Sequence, residues 1–255
     1  MTSTTRPDWA ASHTDLTGKT VIIIGGSGNV GEGVVRTLVD SGARVVATGR
    51  DQGRLDALAT RIESDLLHVT TLDALDPALT DKAAALAAEF GPFDGVVVSI
   101  ASWGDQGRKP LLDITDDEWA ALMADNLTAV FRTYRAFVPT LAPGGLLLQL
   151  NGASADIPFP GNGGVALGAA AGKSMTRTLA VEIRETGRRV YEVILGMVRT
   201  RTRQAAGIDN PDWLEGTEIG THIAELVAGT SPLTDDVLHY FVDKAAGPVT
   251  TPPHF

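Results

Sequence analysis

Cysteine is absent from the chain, so disulfides, thiolate nucleophiles and zinc–thiolate sites are excluded, and a reducing compartment suits it. Aromatic residues are scarce at 5%, whereas glycine occurs 28 times, which favours close backbone packing over bulky rings. Positive charge is in the minority. With 21 Lys and Arg against 31 Asp and Glu, the net charge of −10 serves solubility and disfavours a nucleic-acid or anionic-membrane partner. Long hydrophobic runs are missing too, and none approaches the roughly 20 residues of a membrane span. The opening MTSTTRPDWAASHTDLTGKT has no apolar stretch of the kind a secretion signal needs, so the expected location is the cytoplasm. What is present is a 44% hydrophobic content over 255 residues, enough for one large core.

Residues 1–17 are rich in Thr, Ser and Asp and read as a flexible tail, leaving 18–255 as a single domain. VIIIGG (Val21–Gly26) is a short, wholly apolar run that suits a strand buried on both faces. Further strands are expected at Ala43–Gly49, LLHVTTL, Phe93–Ala101, GGLLLQLNGAS, Arg188–Gly196 and VLHYFVD. Helices alternate with them. Asp51 is placed to cap one, Asp76-Pro77 to open the next, and Thr115 with Glu118 to form a capping box before a long one. Strict alternation implies a doubly wound α/β fold, a parallel sheet covered by helices on both faces. The turn-rich stretch 201–220 is long for a compact domain and reads as a substrate lid.

The first strand runs into Gly25-Gly26-Ser27-Gly28-Asn29-Val30-Gly31. Glycine permits positive φ and lets a pyrophosphate approach bare backbone, and the helix that follows offers free N–H groups to phosphate. After a first strand and before a helix, this turn points to a dinucleotide. The second strand ends Thr48-Gly49-Arg50. An arginine at that point favours the extra phosphate of NADP(H), with NAD(H) the alternative.

From Thr17 to Asp243 the chain resembles the short-chain dehydrogenase/reductase superfamily, which has a single-domain Rossmann-type fold. The resemblance implies roles for particular residues. Asp73-Ala74 matches the adenine contact, and Ser99-Ile100-Ala101 the segment usually written Asn-Asn-Ala. Asn126 matches the asparagine that holds a water linking the active site to solvent. Gly196 and Thr200 match the Pro-Gly-x-x-x-Thr segment at the nicotinamide end, with Leu195 in place of proline. In the turn, Asn29 replaces a glycine. The family also dimerises or tetramerises through the helix at Val165–Ile183 and the one before it, so a homodimer or homotetramer is expected. Small residues in Gly164–Gly172 fit such a close approach.

The main departure lies in VALGAAAGKSMTRTLAVEI. Aligned on Leu179–Glu182, the family's Tyr-x-x-x-Lys falls on Val165 and Ala169, which exchange no protons. The Tyr240–Lys244 pattern lies in the last strand and is read as chance. The family serine falls on Ser154, with Gly152 or Ala153 as alternatives. Proton-donor candidates are therefore Ser154 and Asp156, with Asn126 as the retained active-site asparagine. Lys173, one turn past Ala169, either spans the gap or reaches solvent or a neighbouring subunit. Tyr134 is expected at a subunit interface. Trp103, Phe159 and Trp213 are candidates for an apolar pocket, Trp213 alternatively pinning the lid. Arg199, Arg201 and Arg203 are candidates for binding a carboxylate or phosphate. His68, His222 and His239 lack ligand spacing, and no metal is expected. Three readings follow: hydride transfer to a small organic substrate without the usual Tyr and Lys; non-redox isomerase, dehydratase or cyclase chemistry; or NADP binding without turnover.

Overall fold

The computed structural model describes residues 8–10 and 14–253. In chain order its strands are β1 (Thr20–Ile24), β2 (Arg44–Gly49), β3 (Leu67–Thr71), β4 (Phe93–Val98), β5 (Leu141–Gly152), β6 (Arg189–Leu195), β7 (Val198–Arg199), β8 (Leu214–Glu215) and β9 (Leu238–Phe241). The helices are α1 (Gly31–Asp40), α2 (Gln52–Ile62), α3 (Leu79–Phe90), α4 (Asp116–Met123), α5 (Ala129–Phe137), α6 (Gly163–Glu182), α7 (Arg201–Ala205) and α8 (Gly216–Ala228).

Among the described residues, seven parallel strands form one sheet in the order β3-β2-β1-β4-β5-β6-β9. All five residues of β1 are buried, as its apolar run requires. One core layer joins the sheet to α1, α2 and α8 through Val34, Leu38, Leu58, Ile219 and Ile223. The other joins it to α3, α5 and α6 through Leu79, Val130, Phe137, Met175 and Leu179. The order reverses between β1 and β4, the switch point beside which folds of this kind bind their ligands, at the carboxyl ends of the strands. Asp51 accepts from the Arg54 amide, and Thr115 and Glu118 form the capping box, both as expected. No helix among the described residues is long and apolar enough to cross a membrane.

Three expectations need correction. The tail read as flexible through residue 17 is docked at its end. Leu16 is fully buried, its amide donates to Ser41 O (2.7 Å), and Trp9 meets the Phe241 ring edge-on at 5.2 Å. Residues 1–7, 11–13 and 254–255 lie outside the described residues. The Asp76-Pro77 helix starts later, at Leu79, because the Asp76 carboxylate accepts from the Ala78 amide and closes a turn first. The stretch 201–220 is not one long loop. It contains α7, then β8 paired in parallel with β7, then the first turn of α8.

Candidate functional site

The glycine-rich turn follows β1 at this switch point. The amides of Gly25 and Gly26 donate to Thr48 O (3.1 and 2.8 Å), so the chain doubles back over β2. Gly25 has φ +91°, and a Cβ there would run into the Ser99 carbonyl at the end of β4. A Cβ on Gly31 would strike the Gly25 carbonyl. These two glycines serve the fold. Gly28 differs: its Cβ would meet only the Gly25 carbonyl, at 3.0 Å, and otherwise open space. Val30 precedes α1 without any side-chain cap. Bare backbone on the open side and an uncapped helix start together fit a pyrophosphate.

Two guanidinium groups flank this turn. Arg50 is 65% exposed at its side chain and lies 3.7 Å from Asp125. Arg54, not singled out from the sequence, donates from Nη2 to Ser27 O (3.2 Å). The available signal was its position one helical turn beyond Arg50. Asp73 accepts from the Leu75 amide through Oδ1, shaping the turn that buries Ala74. The Ser99 amide continues the ladder to Ile24 O (2.8 Å), which sets Ile100 and Ala101 beside the turn.

The segment 201–220 is tied down rather than free. Asn29 Oδ1 accepts from Thr202 Oγ1 (2.8 Å), which gives the residue replacing a family glycine a role in holding α7. Thr200 is buried and caps α7, accepting from the Arg203 amide, and Gly196 passes so close to Val242 that a Cβ would lie 2.7 Å from its carbonyl oxygen. The three arginines expected to bind an anion are engaged within the protein. Arg199 binds Asp209 (2.6 and 2.8 Å) and Glu215 (3.3 Å), bonds that raise its pKa further. Arg201 pairs with Glu32 (2.6 Å), and Arg203 binds Val198 O and stacks on Trp213 at 5.5 Å. Trp213 thus packs on Arg203 within the same 201–220 segment. Trp103 and Phe159 do form a pair, 5.7 Å between centroids, with Trp103 51% exposed.

Asn126 lies in a π-helical turn, Ala124–Thr128, between α4 and α5. Its Oδ1 accepts from the Ser102 amide (2.9 Å) and its Nδ2 donates to Ser102 O (2.9 Å) and Leu122 O (3.0 Å). The side chain clamps the loop after β4. Ser154 follows β5, and its Oγ is 3.5 Å from where a Cβ on Gly152 would stand.

Val165 and Ala169 are buried at 9% exposure on the inner face of α6. The small residues around them are explained within the chain. A Cβ on Gly164 would lie 2.6 Å from Leu122, and one on Gly168 would lie 2.9 Å from the Cβ of Asn126. A Cβ on Gly172 would be 3.1 Å from Gln149 Nε2. The close approach expected from another subunit is made at these glycines by α4, the π turn and β5.

Beneath α6 runs a row of buried polar side chains that sequence reasoning did not assemble. Tyr134 bonds Gln149 and, at 2.7 Å, Thr176, so its hydroxyl faces inward instead of an interface, and burial pushes its pKa up. Asn151 Nδ2 donates to Ala169 O (2.8 Å) and to Glu192 Oε1 (2.7 Å). Glu192 is fully buried, and burial raises its carboxyl pKa above the usual range. Lys173 pairs with Asp156 and donates to Tyr240 Oη at 2.9 Å. Its ammonium is thus held within the chain, with the side chain 15% exposed, and Tyr240 answers to Lys173, while Lys244 pairs with Glu215 (3.4 Å) and Glu218 (3.3 Å).

The chain is similar to an uncharacterized oxidoreductase of Staphylococcus aureus (strain USA300), 27% identical over 86% of this chain and 94% of that protein. It is 28% identical to gluconate 5-dehydrogenase of Gluconobacter oxydans over 80% and 82% of the two chains. Among solved structures, a short-chain oxidoreductase of Pseudomonas aeruginosa PAO1, NADPH-bound and containing an atypical catalytic center, superposes with a TM-score of 0.74. It is 24% identical and covers 87% of this chain and 93% of its own. A short-chain dehydrogenase/reductase of Serratia marcescens gives a TM-score of 0.78 at 21% identity over 91% and 99%. A family model described as enoyl-(acyl carrier protein) reductase matches residues 26–232. With that match spanning most of its length, the chain belongs to the family this model describes, within the short-chain dehydrogenase/reductase superfamily.

Proposed function

We propose that this protein is an NADP(H)-dependent oxidoreductase that acts on a small organic substrate without the usual Tyr and Lys. Membership of the superfamily implies a nicotinamide cofactor. The observation that carries the reading is the open glycine turn with two arginines at its adenine side, kept in a chain whose α6 presents Val165 and Ala169. The NADPH-bound Pseudomonas neighbour with its atypical center supports the same reading. Gly25, Ser27, Gly28, Asn29, Val30 and Gly31 would hold the pyrophosphate, Arg50 the extra phosphate, Asp73, Ala74, Ser99, Ile100 and Ala101 the adenosine side, and Gly196 and Thr200 the nicotinamide side. When bound, the cofactor supplies a hydride. The protein's part is to place substrate and hydride in line, about 3–3.5 Å apart. A homodimer or homotetramer and a cytoplasmic location remain part of this proposal.

Isothermal titration tests it. NADPH is expected to bind at least tenfold more tightly than NADH, because a forked cation meets a phosphate. Arg50→Ala is expected to weaken NADPH by about tenfold, roughly 1.4 kcal/mol, and to leave NADH unmoved. Equal affinities for the two nucleotides would remove the argument from arginine. The aliphatic pair at Val165 and Ala169 favours a second reading, non-redox chemistry on the same fold. Stopped-flow absorbance at the nicotinamide band divides the two: an unchanged band during turnover selects the second.

A further inference from the structure

An ammonium and a phenol meet one turn beyond the positions of Val165 and Ala169: Lys173 of α6 and Tyr240 of β9. Lys173 lies four residues beyond Ala169, on a related face of the helix. Helical side chains lean toward the N-terminus, so the lysine stem runs back toward Ala169 and Val165. Its Nζ pairs with the Asp156 carboxylate and donates to Tyr240 Oη at 2.9 Å. Asp156 closes the single 3-10 turn that follows Gly152, its amide donating to Ala153 O (2.9 Å). The same turn carries Ser154, whose Oγ stands 3.5 Å from the Cβ position on Gly152. The lysine charge is thus delivered to the loop at the end of β5, where the family serine falls.

The pair is neither fully exposed nor sealed. The side chains of Lys173 and Asp156 are 15% and 23% exposed, and Tyr240 is buried. The charged or titratable groups around Lys173 come from three elements: Asp156 from the loop after β5, Tyr240 from β9 and Glu192 from β6. Partial burial works against the ammonium, but the bonds to Asp156 and Tyr240 outweigh it and raise the Lys173 pKa. Lys173 therefore carries its proton throughout the neutral range.

We propose that Lys173, positioned by Asp156 and Tyr240, is the catalytic proton donor of this site. The proposal rests on the reading of the protein as an NADP(H)-dependent oxidoreductase. In reduction, the carbonyl carbon of the substrate accepts a hydride from the reduced nicotinamide nucleotide, and the C=O π pair moves onto oxygen. That oxygen takes a proton from the Lys173 ammonium: an N–H bond breaks and an O–H bond forms. The neutral amine regains a proton from solvent past the partly exposed Asp156 carboxylate. The sum is carbonyl, reduced nucleotide and one proton giving alcohol and oxidised nucleotide. A developing alkoxide is far more basic than an amine whose ordinary pKa is about 10.4, so the transfer runs downhill.

The chain has few lysines (Lys19, Lys82, Lys109, Lys173 and Lys244), so 13Cε-lysine NMR can follow one of them through a pH titration. The Lys173 signal is assigned by its loss in Lys173→Met, or in Lys173→Arg if the first variant does not fold. The oxidised nicotinamide ring is cationic. Saturating NADP+ is expected to lower the Lys173 midpoint by about half a pH unit, whereas 2′,5′-ADP, which lacks that ring, leaves it in place. In steady state with the aromatic α-diketone 1-phenyl-1,2-propanedione, chosen for the Trp103–Phe159 pair, Lys173→Met is expected to lower kcat about 100-fold with the KM for NADPH unmoved. If NADP+ binds but the midpoint stays, or kcat is undiminished, the proposal is overturned and the cofactor reading stands. If NADP+ does not bind, or the unmodified protein reduces nothing, the cofactor reading falls and the proposal with it.

Discussion

Gly25→Ala is expected to lower the melting temperature by about 10 °C, and Gly28→Ala to leave it nearly unchanged while weakening NADPH binding about 100-fold. The two glycines sit three residues apart in one turn but answer to different neighbours. Gly25 has φ +91°, a conformation an L side chain adopts only under strain, and its Cβ would run into the Ser99 backbone. Backbone cannot step aside as a flexible side chain does, so strain and clash together cost about 3 kcal/mol. For a domain of this size that is about 6–12 °C. At Gly28 the added methyl meets one carbonyl at 3.0 Å and is otherwise unobstructed. It would instead occupy the space over the turn where a pyrophosphate comes down onto the amides. Thermal scanning and NADPH titration of both variants decide the matter. Tight nucleotide binding by a folded Gly28→Ala protein would mean that the phosphates lie elsewhere.

Stability is expected to be greatest above about pH 6.5 and to fall as the pH drops toward 3, with His222 and His239 as a principal cause. The two rings are buried and bonded to each other, His222 Nε2 to His239 Nδ1, at 2.9 Å. Their tautomers follow from their neighbours. His239 Nε2 faces the carbonyls of Leu233 and Asp236, both at 3.0 Å, and carbonyls only accept, so that nitrogen carries the hydrogen. His239 Nδ1 is then bare and accepts from the His222 Nε2–H. That leaves His222 Nδ1 bare as well, with no partner among the described residues. A proton added there would bring an uncompensated charge into the core. Burial, reinforced by the neighbouring ring, pushes His222 down to about 3, and burial lowers His239 too.

The sign follows from which state takes up protons first. Unfolded histidines protonate near pH 6.5, before the folded ones do, so acid draws the equilibrium toward the unfolded chain. For His222 alone the loss is roughly 2 kcal/mol between pH 6.5 and 5, and roughly 4 kcal/mol by pH 3. Carboxylates titrate in the same acid range, so the comparison is between variants. Urea unfolding of His222→Leu at pH 7 and pH 5 is expected to show a drop about 2 kcal/mol smaller than in the parent. An identical drop in both proteins would exclude the pair as the cause.

Much of the architecture was legible along the chain because it is locally encoded. The apolar run of β1, the Asp51 cap, the Thr115–Glu118 capping box and the glycine turn each draw on residues a few positions apart. Their order then admits essentially one arrangement, since parallel strands joined by helices pack with a fixed hand. The expectation that Val165 and Ala169 stand where the family carries Tyr and Lys rests on the same kind of local spacing, to Leu179–Glu182.

The partners of long charged side chains were not legible. Arg199, Arg201 and Arg203 looked free to meet a ligand, yet Asp209, Glu215, Glu32 and Val198 hold them. From the sequence Lys173 could span the gap or reach solvent or a neighbouring subunit, and it closes on Asp156 and Tyr240, 17 and 67 residues away. The small residues of α6 looked like an invitation to another subunit, and the chain's own Leu122, Asn126 and Gln149 fill the space. The sequence by itself determined the strands and the turn, because backbone hydrogen bonding and hydrophobic period act over a few residues. Which cation meets which anion was decided by the tertiary structure alone, because a flexible side chain finds its partner only after the sheet has brought distant strands and loops together.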